Sequence, residues 1–193
     1  MRYLQLQSPS DDVGYYHVWI TASRQQRFLL HIHDKSRFVE CVSKSLVSSS
    51  HITLLGYALV STGAHLLLHA SEYRSLDSWT NRLLEMYSDA LRGRGLIHID
   101  TVTVFDKLAG RHEALAVSRD IHLLPITWRR SPYSSIRYYL DGMRSEWLNA
   151  ERMLQLFDNQ PDEYVRFLRS RSTESDRIFT LVGTNRGLPS ANG

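Results

Sequence analysis

The chain has 193 residues, 42% of them hydrophobic and 22% charged, with a formal net charge of +3. A length of that order holds one well-packed domain with a short extension and excludes two full-sized ones. The ordinary balance of apolar to charged residues excludes a disordered or fibrous chain. Lysine supplies only Lys35, Lys44 and Lys107, so arginine makes up most of the 23 basic residues, and its planar, forked donors suit phosphate and nucleobase contacts. Cys41 is the only cysteine, which excludes an intramolecular disulfide and a cysteine zinc cluster. No apolar run approaches the roughly 18 to 20 residues of a membrane span. Residues 1–14 contain no signal-peptide apolar region, so a cytoplasmic location is the expectation, at the nucleoid if DNA is bound.

In chain order, Tyr15 to Ile20 is aromatic and β-branched and predicts a first strand. A basic loop with Arg24 and Arg27 follows. From Asp34, a suitable N-cap, Phe38, Val39, Val42 and Leu46 recur at helical spacing to about Val47. Ile52 to Val60 and Ala64 to Ala70 flank the turn-like Ser61, Thr62 and Gly63, which predicts a hairpin. Between Leu76 and Leu91, Trp79, Leu83, Met86, Tyr87 and Ala90 predict a second helix, and the alternation over Ile97 to Phe105 predicts a fourth strand. A third helix is expected over Arg111 to Leu123, ending before Pro125. Helical stretches around Trp147 to Phe157 and from Pro161 complete the chain. The order strand, helix, strand, strand, helix, strand predicts an α+β fold: a ferredoxin-like antiparallel sheet with helices packed on one face, plus C-terminal helices. The expected division is 1–142 as the main domain, 143–171 as a helical extension and 172–193 as a polar, loose tail.

The order of motifs resembles the REP-associated tyrosine transposases, single-tyrosine HUH transposases of the IS200-like kind. Tyr16, His17 and Val18, followed by Arg24 and Arg27, are similar to the Tyr-His-Val strand and arginine loop that open that family. Val60 to Leu67 (VSTGAHLL) stands where the family has Met-Pro-Asn-His-x-His-Leu-Leu, and Asp120 to Pro125 (DIHLLP) where it has Tyr-Ile-His-Leu-Asn-Pro. Ser131 to Tyr138 (SPYSSIRY) resembles Tyr-x-Trp-Ser-Ser-Tyr, and Tyr164 to Leu168 (YVRFL) the closing helix. The likeness spans about Tyr15 to Arg169.

The resemblance implies a metal-and-nucleophile unit. Two histidines at i and i+2 of a strand share a face and can bind one divalent ion, Mg²⁺ or Mn²⁺, that polarises a phosphate. A helical tyrosine attacks that phosphate and stays joined to the DNA, and an amide side chain four residues on faces the same ion. Here the first histidine falls at Gly63, the second is retained as His65, the tyrosine falls at Asp120 and the amide at Leu124. No catalytic residue and no cofactor are therefore expected. A residual metal site would combine His65 with His17 across the sheet and an oxygen from Asp120.

Several sharper readings have plainer counterparts. His31 and His33 flank Ile32 in a literal His-hydrophobe-His, but between the first strand and first helix, where a solvated loop is expected. His65 and His69 share a strand face about 13 Å apart, too far for one ion. Tyr133, Tyr138 and Tyr139 are expected to pack and not to substitute as nucleophiles. Arg24, Arg27, Arg129, Arg130 and Arg137 are candidate DNA contacts in loops or at element starts, and Tyr15, Trp128 and Tyr133 are candidate stacking aromatics. The leading expectation is a protein that recognises hairpin or single-stranded DNA without cutting it. The alternatives are an active transposase or nickase forming a tyrosine–DNA intermediate with a divalent metal, and a scaffold that binds protein. Members of the family occur as monomers and homodimers, and the sequence leaves both open.

Overall fold

The computed structural model describes residues 2–5 as backbone, and 13–23, 29, 31–47, 49–92 and 100–170 with their side chains. Among these residues the strands are β1 (Arg2–Gln5), β2 (Gly14–Ala22), β3 (Ile52–Val60), β4 (Gly63–Ala70) and β5 (Thr101–Leu108). The helices are α1 (Ile32–Val47), α2 (Tyr73–Arg92), α3 (Arg111–Leu123), α4 (Ile136–Leu140), α5 (Glu151–Leu154) and α6 (Pro161–Arg169).

The strands form one sheet in the order β1-β5-β2-β4-β3. Its β5-β2-β4-β3 part is antiparallel throughout, which is the ferredoxin-like arrangement expected from the element order. β1 adds a parallel edge, running from Arg2 opposite Val102 to Gln5 opposite Phe105. It carries no sequence signal of its own, because four residues are too few to show a period.

The two sheet faces have different roles. Tyr16, Val18 and Ile20 of β2 point to one face, where Tyr73 of α2 packs against Tyr16 and Phe105 at 6.3 and 5.7 Å between ring centroids. Phe38 and Tyr87 meet edge to face at 5.2 Å and join α1 to α2 on that side. His17 and Trp19 alternate to the other face, together with Leu67 and Gly56, which lie in register with His17 across β4 and β3. α3 and the chain beyond 131 cover this second face: the place of a Gly56 Cβ lies 3.4 Å from Ser135 Oγ and 3.7 Å from His122 Nε2. Both faces of β4 are thus buried, which explains its nearly continuous apolar run.

Three differences from the sequence reading have local causes. Asp34 lies inside α1 and not at its N-cap: its Oδ2 accepts the His31 N–H at 3.2 Å, as an acidic third residue does in a capping box. β5 begins at Thr101, and the expected strand start at 97–99 lies outside the described residues. Of the helix expected over Trp147 to Phe157, only α5 and a 3-10 turn at Gln155–Phe157 form. Leu148 and Asn149 instead pair with the outer edge of β3, where the Asn149 N–H donates to Leu54 O at 2.8 Å. Farther along that edge Leu59 N–H donates to Tyr133 O and Ser135 N–H to Tyr57 O, at 2.8 and 2.9 Å. Irregular chain thus satisfies the donors and acceptors of an edge strand.

Candidate functional site

The second sheet face brings His17 and His65 together, as read from the sequence. His17 Nε2 lies 3.1 Å from His65 Nδ1, and the rings stack at 5.4 Å with 7° between their planes. Trp19 also stacks on His65, at 5.7 Å and 10°. Both histidines are buried, and burial pushes His17 down to about 4. Burial first, and the neighbouring His17 second, hold His65 well below the usual histidine range. Two neutral imidazoles therefore face each other, one nitrogen donating and the other accepting. His65 Nε2 and Trp19 Nε1 are buried with no hydrogen-bond partner among the described residues.

Gly63 opens β4 directly beside this stack. A Cβ there would lie 2.5 Å from Ile20 O and 2.7 Å from Trp19 Nε1, closer than carbon approaches either atom. The Trp19 indole fills the space that a side chain at 63 would need. A histidine at 63 requires the indole and the β2 backbone to move first.

Asp120 is buried on α3. Leu124, the residue after that helix, donates its N–H to Asp120 O at 3.1 Å and packs its side chain against the core. Among the described residues no group of three or more His, Cys, Asp or Glu is arranged to hold a metal ion. Thus His17 and His65 come together, but Asp120 does not complete a ligand trio with them. With glycine at 63 and leucine at 124, two of the ligand positions that the resemblance implies carry no donor, so the donor set does not fit the divalent ion of that family.

A second polar cluster on the same face was given no role by the sequence reading. His122 Nδ1 lies 2.7 Å from the Tyr164 hydroxyl, and His122 Nε2 2.7 Å from Ser135 Oγ. Ser135 Oγ accepts the Tyr57 N–H at 2.8 Å, and the Tyr164 hydroxyl meets Ser118 Oγ at 3.1 Å. Tyr139, fully buried, donates to Leu55 O at 2.5 Å, the carbonyl of the residue that bulges out of β3 register between Leu54 and Gly56. Burial lowers His122 to about 3 and raises Tyr164 and Tyr139. The signal was present: His122, Ser135 and Tyr164 each lie in one of the quoted motifs, DIHLLP, SPYSSIRY and YVRFL. Fully partnered buried polar groups of this kind fix one arrangement of the elements they join, here β3, α3, α4 and α6.

Arg24 and Arg27 lie outside the described residues. Arg129 and Arg130 are exposed on a 3-10 turn, with the Arg129 guanidinium 5.2 Å from the Trp128 ring centroid. Arg137 is exposed but paired with Asp141 at 3.1 Å. Tyr138 packs on Trp147, Tyr133 bonds Ser36 Oγ at 3.2 Å, and Tyr15 sits between His69 and the Arg152 guanidinium. His31 and His33 are exposed at the start of α1, where i and i+2 do not share a face.

No protein-family profile matches the chain, and no curated protein matches it. Among solved structures it is similar to a REP-associated tyrosine transposase bound to a REP hairpin, with a TM-score of 0.58 and 11% sequence identity. The match covers 72% of this chain and 87% of that one. At that identity the likeness establishes the fold. No helix among the described residues is long and apolar enough to cross a membrane.

Proposed function

We propose that this protein binds DNA hairpins or single-stranded DNA on a transposase-type frame and does not cut the strand. Two lines support DNA as the partner: the similar fold belongs to a transposase bound to a REP hairpin, and the exposed Arg129 and Arg130 have no carboxylate partner among the described residues. The observation that carries the absence of cleavage is the contact of the Gly63 position with Trp19 and Ile20. It leaves no room for a first metal-ligating histidine, while the second, His65, is hydrogen-bonded to His17. Asp120, at the nucleophile's position, has a carboxylate that phosphate repels and that cannot form a stable aryl phosphate linkage. Recognition on this reading is electrostatic and shape-based, and it needs no divalent ion.

Fluorescence anisotropy of a labelled imperfect hairpin, titrated with protein in the presence of a chelator, tests this reading. The expected result is binding that weakens steeply with added salt, as phosphate contacts require. Absence of binding across a panel of hairpins and single strands, or binding that appears only with Mg²⁺ or Mn²⁺, contradicts it.

A further inference from the structure

Irregular chain covers the outer edge of β3 only from Leu54 onward. At the start of the strand the Ser71 N–H donates to His51 O at 2.9 Å on the inner side. Ile52, the next residue, therefore turns its N–H and C=O outward, as Leu54 does two residues on. Among the described residues no backbone group hydrogen-bonds to Ile52 on that edge. Ile52 lines a cleft of about 850 Å³ between the end of α1 and the chain at 142–161. Buried Leu46, Leu148 and Leu154, half-buried Trp147 and the exposed Met143 give the cleft its apolar lining. Trp147 is fixed against Tyr57 and Tyr138, at 5.7 and 6.1 Å between ring centroids. Asn159 belongs to a turn in which it and Asp158 are both left-handed, at φ 58° and 51°. That turn is closed by the Asn159 N–H donating to Leu154 O at 3.0 Å.

The charge around the cleft runs against that of the whole chain. Between 141 and 163 stand Asp141, Glu146, Glu151, Asp158, Asp162 and Glu163 against only Arg144 and Arg152, in a chain of net charge +3. Asp141 and Glu163 pair with Arg137 and Arg166, and Glu151 lies 3.8 Å from Arg144. Glu146, Asp158 and Asp162 are exposed and meet no cationic partner among the described residues.

From the open strand edge, the cleft and its charge together, we infer that this is a docking site for an extended, arginine- or lysine-bearing segment of a partner protein. The segment adds its backbone to β3 at Ile52, lays an apolar side chain against Trp147 and Met143, and sets its cations toward Glu146, Asp158 and Asp162. An extended peptide is recognised in this way wherever a sheet edge is free: main-chain bonds give affinity and the flanking pockets give specificity. The charge selects the partner, because an acidic surface repels DNA and anionic lipid and attracts a basic chain. A cleft near the upper end of the roughly 300–1,000 Å³ range of ligand sites has room for several residues of chain. Its rigid aromatic and its closed turn lower the ordering cost of binding. The inference is independent of the DNA-binding reading, which uses basic surface elsewhere.

The test uses the full chain and two fluorescein-labelled hexapeptides, one alternating arginine with valine and the other glutamate with valine. The arginine peptide is expected to raise anisotropy, less so as salt is added, and to slow hydrogen exchange at the Ile52 amide. The glutamate peptide is expected to do neither. Glu146→Gln and Asp162→Asn alter exposed side chains, so unfolding midpoints should hold while each weakens the arginine peptide roughly two- to fivefold. Met143→Ser should weaken it without changing the salt dependence. No binding of the arginine peptide, binding that leaves Ile52 exchange unchanged, or binding indifferent to both charge variants overturns the inference. Spermine that displaces the peptide while giving Ile52 no protection would make the cleft a simple polycation site, which also overturns it. None of these outcomes touches hairpin binding, so the two readings fail separately.

Discussion

His17 and His65 face each other across β2 and β4 with 3.1 Å between Nε2 and Nδ1, both rings buried and stacked. One ring nitrogen donates to the other, burial lowers His17 to about 4 and His65 well below the usual histidine range, and burial lowers His122 on the same face to about 3. These groups bind a proton near pH 6.5 once unfolded and only well below that when folded. Between those limits the unfolded state carries more protons, so stability rises with pH. It is complete above about pH 6.5 and lost as pH falls, toward 4 for His17 and toward 3 for His122, on the order of 1.4 kcal/mol per pH unit for each. Urea unfolding between pH 4 and 8 measures the slope. A flat profile, or a ring resonance of His17 or His65 titrating near 6.5, contradicts the account.

Gly63→Ala is expected to destabilise the protein by about 1–3 kcal/mol, because a Cβ 2.5 Å from Ile20 O must displace backbone. Gly63→His is expected to cost more and to confer no divalent-ion binding on the folded protein. Denaturant midpoints and calorimetric titration with Mn²⁺ report these two outcomes. A stable Gly63→His variant that binds Mn²⁺ would show that the indole yields and that the site is one substitution from use.

Truncating the buried polar cluster should be graded by what it leaves behind. Tyr164→Phe removes one hydroxyl and is expected to cost about 1 kcal/mol. His122→Ala opens a cavity and strands the Ser135 and Tyr164 hydroxyls, so about 3 kcal/mol or more is expected. Combining them in a double-mutant cycle should give much less than the sum, since both cut the same 2.7 Å bond. Additive costs would show that the two side chains act separately.

Asp141→Asn releases Arg137 from its exposed ion pair. Such a pair contributes little to folding, so unfolding midpoints should hardly move. DNA affinity at low salt should rise and the salt slope steepen by up to about 1 if Arg137 then reaches a phosphate. An unchanged slope would remove Arg137 from the DNA contacts.

The legible parts of the fold were those with a period or a stop signal. α1 and α2 follow from apolar spacing, and α3 matches its expected bounds because Pro125 sets its end. The β3–β4 hairpin follows from two apolar runs around Ser61 and Thr62. The approach of His17 to His65 was legible because antiparallel pairing of those strands puts residues of equal parity on one face. The close fit of Trp19 against Gly63 was not, since it depends on register and rotamer together. Nor was the capping of β3 by 133–135 and 147–149, where single bridges from irregular chain leave no pattern. His122, Ser135 and Tyr164 read as ordinary polar residues until α3, α4 and α6 bring them within hydrogen-bond distance.

Binding without cleavage is tested most directly by a labelled hairpin incubated with the protein and Mg²⁺ or Mn²⁺, half run on a native gel and half on a denaturing one. A retarded complex is expected on the native gel, and intact, protein-free DNA on the denaturing gel. A covalent protein–DNA band or a nicked strand, surviving denaturation, would contradict it.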